Sequence, residues 1–193
     1  MALLFFICCA TMRKNQGGLN MNEILKAIKE RRSCKSYKPD MVPDEIIEQI
    51  VEAGLFAASG MGLQSPIILA VSDKETRDKL SALNSKYDFK HRPDPFYGAP
   101  VVLVVLANKS VPTYIYDGSL VVGNMMLAAH SLGVGSCWIH RAKETFEDEE
   151  GKAILEELGI EGDFEGIANC VIGYPTVENN KIPPRNEDRV YTK

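Results

Sequence analysis

The sequence predicts a fold of mixed helix and strand, with helices covering both faces of a central sheet. Two continuous apolar runs of strand length, Ile67-Ile68-Leu69-Ala70-Val71 and Val101-Val102-Leu103-Val104-Val105-Leu106, lack the alternation of a half-exposed strand and read as central strands covered on both faces. Amphipathic helical segments flank them. A third observation is the segment 114–132, apolar almost all the way round with Val121, Val122, Met125, Met126 and Leu127, which predicts a helix buried in the core or in a subunit interface.

The elements follow in order. A first helix carries Ile24, Leu25 and Ile28 on one stripe and stops before Pro39. A second opens at Pro43-Asp44-Glu45, where proline and acids suit a helix N-terminus, and its expected buried face is Ile46, Ile47, Ile50, Val51 and Leu55. It gives way to the small-residue loop Ala57-Ala58-Ser59-Gly60-Met61-Gly62, and the first strand then runs over 67–71. A helix over 74–83 and a loop over 91–100, with three prolines and Gly98, lead to the second strand. In the long apolar helix Gly118 and Gly123 permit close approach, and Asp117 and Asn124 lie seven apart, facing either water or polar groups across an interface. A strand over 134–139, a charged helix over 148–158 whose first turn is the acidic run from Glu147 to Glu150, and a strand over 166–173 complete the fold. The final twenty residues are polar and irregular, so such a tail is docked on something or disordered.

Composition limits the functions available. At 193 residues, 45% hydrophobic and 25% charged, the chain buries a sizeable core as one domain. A formal net charge of -4 without a basic stripe argues against nucleic-acid and anionic-membrane binding and in favour of small-molecule chemistry. The five cysteines, Cys8, Cys9, Cys34, Cys137 and Cys170, form no CxxC pair, so neither a metal site nor a disulfide framework is expected, and a reducing cytoplasm fits best. The apolar run 2–10 is too short to span a bilayer, and its positive charges follow it where a signal peptide would place them before. Residues 1–20 are therefore expected to be an extension outside the fold, with the domain over 21–193 and natural initiation at Met21.

Four pieces carry chemistry. Arg31, Ser33 and Lys35 occupy alternate positions where the first helix runs out, so in extended chain they share one face, opposite Arg32, Cys34 and Ser36. A guanidinium, a hydroxyl and an ammonium on one face suit a phosphate ester and the polar edge of an attached ring, although a solvated basic helix end would look the same. The others are the loop 59–66, the strand Gly133-Val134-Gly135-Ser136-Cys137-Trp138-Ile139-His140, and Arg185 in the tail. No GxGxxG or GxxxxGK[ST] fingerprint occurs. Cys137 reads as a small buried residue, Trp138 as packing, and His91 and His130 as incidental. His140, ending the strand beside Arg141, is either structural or a ligand contact.

From about Met21 onward this order of motifs resembles the nitroreductase family of FMN-dependent oxidoreductases. The resemblance implies an α+β nitroreductase-like fold, a central mainly antiparallel sheet sandwiched by helices, and a homodimer with an extended C-terminal tail and one FMN in each of two interface sites. It assigns the FMN phosphate, ribityl chain and ring edge to Arg31, Ser33 and Lys35, with Arg32 beside them. It assigns flavin contacts to Ser59, Gly62 and Gln64 in the loop, and to Gly135, Ser136, Cys137, Trp138, His140 and Arg141 along the strand. Arg185 would return to the phosphate. Two departures stand out: Gly62 replaces the family's Asn, and Ser65 separates Gln64 from Pro66.

No side chain needs to be a nucleophile or metal ligand, because the cofactor carries the chemistry; Lys35 is the candidate electrostatic stabiliser of the reduced form. The implied reaction is ping-pong transfer from NAD(P)H, a transient donor, to an electron-poor acceptor such as a nitroaromatic or quinone. Two other classes remain: a flavin enzyme of the same fold doing reductive dehalogenation or flavin breakdown, and a non-catalytic FMN-binding redox module.

Overall fold

The computed structural model describes residues 22–177 and 181–193, so the expected N-terminal extension lies outside the described residues. The elements run α1 (Glu23–Glu30), α2 (Asp44–Leu55), a short 3-10 turn (Gly60–Gly62), β1 (Pro66–Val71), α3 (Lys74–Lys86), β2 (Val101–Asn108), α4 (Tyr114–Ser131), β3 (Gly135–Ile139), α5 (Ala142–Glu147), α6 (Glu149–Glu157) and β4 (Phe164–Gly173). Side-chain caps start several helices: Asn22 accepts from the Ile24 N–H, Asp73 from the Thr76 N–H and Asp148 from the Glu150 N–H.

The four strands form one antiparallel sheet in the order β1-β2-β4-β3. On one face Ile47 and Ile50 of α2 and Val121, Val122 and Met125 of α4 pack against Leu103, Val105, Cys170 and Ile172. On the other, Leu80 and Leu83 of α3, Phe146 of α5 and Ile154 of α6 cover Val102, Val104, Leu106 and Val171. This is the α+β sandwich expected, and β2, buried throughout Val101 to Ala107, is its centre. Gly118 lets α4 approach β4: a Cβ there would fall 2.7 Å from Ile167.

Several expectations need correction. β1 is an edge strand, not a central one. Its apolar run reflects helices over both faces, with Ile68 packed into one cluster and Ile67 and Leu69 into the other; covered faces make a strand apolar whether or not both of its edges are paired. The stripe of α1 is exposed, Ile24 by 64% and Leu25 and Ile28 by 53%, and Leu55 at the end of α2 is also exposed. Asp117 and Asn124 turn to their own chain. Asp117 is buried, accepting from the Gly60 N–H at 3.0 Å and the Thr113 hydroxyl at 2.9 Å, while Asn124 donates to the Ala53 carbonyl. Helix α5 was not foreseen, because six residues are too few to show a helical period.

Candidate active site

Helix α1 ends because Arg32 turns back on it: its guanidinium donates to the carbonyls of Lys29 and Arg31, two of those a helix C-terminus leaves open, and to the Lys181 carbonyl in the tail. The next residues form a narrow extended segment between β3 and the chain leaving β4. The Cys34 N–H donates to the Ser136 carbonyl at 2.9 Å, and Ser33 and Ser136 form a parallel bridge. On the other side Tyr37 pairs with Pro175, the Lys38 N–H donates to the Tyr174 carbonyl, and the Ser36 carbonyl accepts from the Thr176 N–H. Gly135 makes this approach possible, since a Cβ there would lie 2.9 Å from the Cys34 Cβ and 3.1 Å from the Pro175 ring.

A cavity of about 440 Å³ opens along this segment, within the size range of cofactor sites. Arg32, Ser33, Cys34, Lys35 and Ser36 form one wall. Gly133 to Ser136 at the start of β3 form the other, with Glu30, His130, Pro175 and Val177 completing it. All five residues from 32 to 36 line the cavity, so its wall takes in both faces of the segment, and the Ser33 hydroxyl, Lys35 and Arg31 all act on the Cys137 thiol.

The charges are distributed differently from the sequence expectation. Arg31 is not in the lining; its Nη1 is buried without a hydrogen-bond partner among the described residues. Arg32 reaches the wall, but its guanidinium is committed to carbonyls rather than free for a ligand. Lys35 lines the cavity and is exposed. Ser136, 2% exposed, has a buried Oγ with no hydrogen-bond partner among the described residues. Cys137 is buried, and burial raises its thiol pKa against the opposing pull of the Ser33 hydroxyl and the Lys35 and Arg31 charges. Trp138 packs into the α2/α4 cluster.

The remaining expected site residues stand elsewhere. The Ser59 hydroxyl accepts from the Gln64 N–H at 3.1 Å, and Met61, Gly62 and Gln64 all have positive φ, 54°, 67° and 49°. This is a tightly wound loop, held by the Gly60–Asp117 bond, and none of its residues lines the cavity of its own chain. The His140 side chain is exposed beyond the cavity lining, while its carbonyl accepts from Asn84. Arg141, expected as a cofactor contact, has its guanidinium engaged within its own chain, donating to Asn84 Oδ1 at 2.9 Å and lying 3.5 Å from Asp88. Arg185 is exposed in the tail and does not line the cavity.

His130 and Glu30 line the cavity without having been foreseen. His130 is the penultimate residue of α4, but only the parallel pairing at Ser33 shows that this end abuts the basic segment. Among the described residues no group of carboxylates, thiols and imidazoles could hold a metal, and no helix is long and apolar enough to cross a membrane.

This architecture, with a basic segment laid against the edge of a helix-covered antiparallel sheet, matches known proteins over most of its length. The family model described as "Nitroreductase family" matches residues 28–174. The chain is 32% identical over 165 residues to an Archaeoglobus fulgidus relative bearing an NADH dehydrogenase/NAD(P)H nitroreductase name, covering 83% of this chain and 90% of that one. It is 26% identical to a Bacillus subtilis FMN reductase [NAD(P)H], over 88% of this chain and 73% of the other. Among solved structures, a Bacteroides fragilis nitroreductase with bound FMN superposes with a TM-score of 0.79 at 27% identity, covering 90% of this chain and all of its own. One from Desulfitobacterium hafniense, also with FMN, gives a TM-score of 0.80 at 25% identity over 90% of this chain and all of its own. The chain belongs to the nitroreductase family.

Proposed function

We propose that this chain is an FMN-dependent oxidoreductase that takes hydride from NAD(P)H and, in a ping-pong cycle, passes the electrons to an electron-poor acceptor such as a nitroaromatic or quinone. The relatives named as NAD(P)H-dependent FMN reductase and the FMN-containing structures support the cofactor and the donor. The observation that carries the reading within this chain is the cavity itself. It is walled by Lys35, by hydroxyls at Ser33, Ser36 and Ser136, and by the glycine-containing start of β3. Two buried polar atoms at the segment and strand that wall it, Arg31 Nη1 and Ser136 Oγ, have no partner in the described protein. Such a donor set fits a polyhydroxy phosphate ester carrying a polar ring.

When bound, FMN supplies two-electron acceptance and donation. The chain's part is to bind and orient it. Ser33, Ser136 and Arg31 would take the ribityl and phosphate oxygens. Lys35 would set a positive charge at the ring edge where negative charge collects on reduction. Gly135, with no side chain, lets the basic segment lie close against β3. Cys34, beside it, narrows the cavity on the segment side.

A homodimer completes the reading. Exposed apolar side chains lie on α1, at the end of α2 and on α4, where Tyr116 and Leu120 sit one turn apart. The loop 59–64, absent from its own chain's cavity, would reach the cavity of a second copy and bring Ser59, Gly62 and Gln64 there, and the exposed tail would carry Arg185 in the same way. Reductive dehalogenation, flavin breakdown and a silent binding module are separated from this reading by turnover. The deciding experiment is the visible spectrum of the purified protein with anaerobic additions of NADH and NADPH. A flavin band that bleaches with either donor supports the proposal, and protein that stays colourless after incubation with FMN overturns it.

A further inference from the structure

We propose that Arg32 is a positioning residue for the bound flavin: by holding the Lys181 carbonyl it fastens the C-terminal tail alongside the basic segment and so fixes the cavity wall. This rests on the FMN reading above. The wall, residues 32–36, meets β3 at one rung, where Ser33 bridges Ser136 and the Cys34 N–H donates to the Ser136 carbonyl. An extended segment held at one rung keeps much of its freedom, and a ligand resting on it must order it on binding.

The tail supplies the missing support. Beyond β4 the chain runs antiparallel to the basic segment: Tyr37 pairs with Pro175, the Lys38 N–H donates to the Tyr174 carbonyl at 2.8 Å, and the Thr176 N–H donates to the Ser36 carbonyl at 3.1 Å. The hydroxyls at that last rung also meet, Thr176 Oγ1 and Ser36 Oγ lying 2.7 Å apart. Arg32 makes the second anchor, its Nε donating to the Lys181 carbonyl at 3.0 Å. Four residues separate Ser36 from Arg32 and five separate Thr176 from Lys181, so the second anchor falls one residue beyond the register of the first. The tail is thus fastened at both ends of the wall. Arg32 and Ser36 line the cavity, and so do Pro175 and Val177 of the departing chain.

Arginine suits this position because its planar fork carries donors on three nitrogens. Nε holds the tail while Nη1 and Nη2 close α1 at the Arg31 and Lys29 carbonyls, so helix end, wall and tail move as one unit. A wall already held in place binds flavin better, and by linkage bound flavin holds the tail. Lys181 reports on this directly. The carbonyl that Arg32 holds belongs to the Lys181–Ile182 peptide bond, which trypsin cleaves only when that carbonyl is released.

Full-length, flavin-stripped wild type, Arg32→Ala, Arg32→Lys and Thr176→Val are compared in two ways. Quenching of flavin fluorescence gives the affinities for FMN and riboflavin, and mass spectrometry after brief trypsin treatment gives the rate of cleavage after Lys181. Arg32→Ala is expected to speed that cleavage and to weaken both flavins alike, by about threefold to tenfold, with partial recovery in Arg32→Lys. Saturating FMN should slow the cleavage in the wild type and lose that effect in Arg32→Ala. Thr176→Val loosens the other anchor without touching the end of α1, and should move cleavage and both affinities in the same direction. An FMN affinity unchanged in Arg32→Ala, a cleavage rate that neither substitution nor FMN alters, or a Thr176→Val that behaves as wild type in both readouts overturns the proposal. So does a loss confined to FMN, which would make Arg32 a direct contact of the phosphate. Wild-type protein that binds neither flavin instead brings down the FMN reading itself, and the role of Arg32 with it.

Discussion

Lys35 and Arg32, three positions apart on one cavity wall, have different tasks. Arg32 is a helix terminator whose guanidinium closes the end of α1, whereas Lys35 is exposed at the cavity with no side-chain hydrogen bond to the described protein. A Lys35→Ala variant should bind FMN more weakly, by about 1 kcal/mol for an exposed cation, and should hold FMN at a more negative midpoint potential. Potentiometric titration checks this, and an unchanged potential removes Lys35 from the reading. Cysteine chemistry gives an independent map. Cys34 is partly exposed and lines the cavity, while Cys137 and Cys170 are buried and burial lifts the Cys170 thiol to about 12. A maleimide should therefore label the Cys34 peptide well before the other two, and saturating FMN should slow that labelling. Equal labelling with and without FMN would place the flavin elsewhere. None of this division of labour was visible in the string Arg31-Arg32-Ser33-Cys34-Lys35, because which guanidinium closes the helix depends on the carbonyls it meets in the fold.

At the level of elements, the loop 59–64 and the network beneath α5 are held by single acidic residues. Asp117 ties the Gly60 N–H to the Thr113 hydroxyl, and Met61 sits in the left-handed region within the loop. Asp117→Ala leaves the part-buried Gly60 N–H and the Thr113 hydroxyl without their acceptor and should cost about 1–3 kcal/mol, a fall in Tm of several degrees by calorimetry, with Asp117→Asn intermediate. Asp88 is enclosed by Arg92 and Arg141, and the Arg92 hydrogen bond, ahead of the opposing effect of burial, holds its carboxyl well below the usual carboxylate range. A carboxyl depressed in the folded state contributes stability above its unfolded pKa and loses it as pH falls. Wild-type Tm should thus drop between about pH 5 and pH 3 by more than that of Asp88→Asn, and parallel curves would contradict this. The long helices and the strands were legible from period and apolar runs, and the Gly118 approach from its glycine. Three features were not: the edge position of β1, the six residues of α5, and the inward turn of Asp117 and Asn124. Each depends on which element lies alongside, which periodicity does not encode.

For the whole molecule, the apolar surface left open is the organising fact. Ile24, Leu25 and Ile28 form the stripe of α1, yet the helix buries none of its residues against its own chain. Phe56, 81% exposed, and Met61, 80% exposed, extend the same character from α2 into the loop, and Tyr116 and Leu120 do so on α4. A helix of eight residues is too short to persist in water on its propensity alone, so a stripe of this quality implies a partner surface that covers it. If that partner is a second copy, the loop 59–64 and the basic segment of opposite copies share one site, and association and flavin binding become linked quantities. Sedimentation should then give a dimer, and Tm should rise with protein concentration. The double variant Leu25→Glu with Ile28→Glu, which alters no cavity residue, should shift the equilibrium toward monomer and weaken FMN in the same step. A monomeric variant that retains wild-type FMN affinity would show that one chain holds the whole site. A wild type that is monomeric at micromolar concentration and stable there would assign the exposed stripe to some other partner.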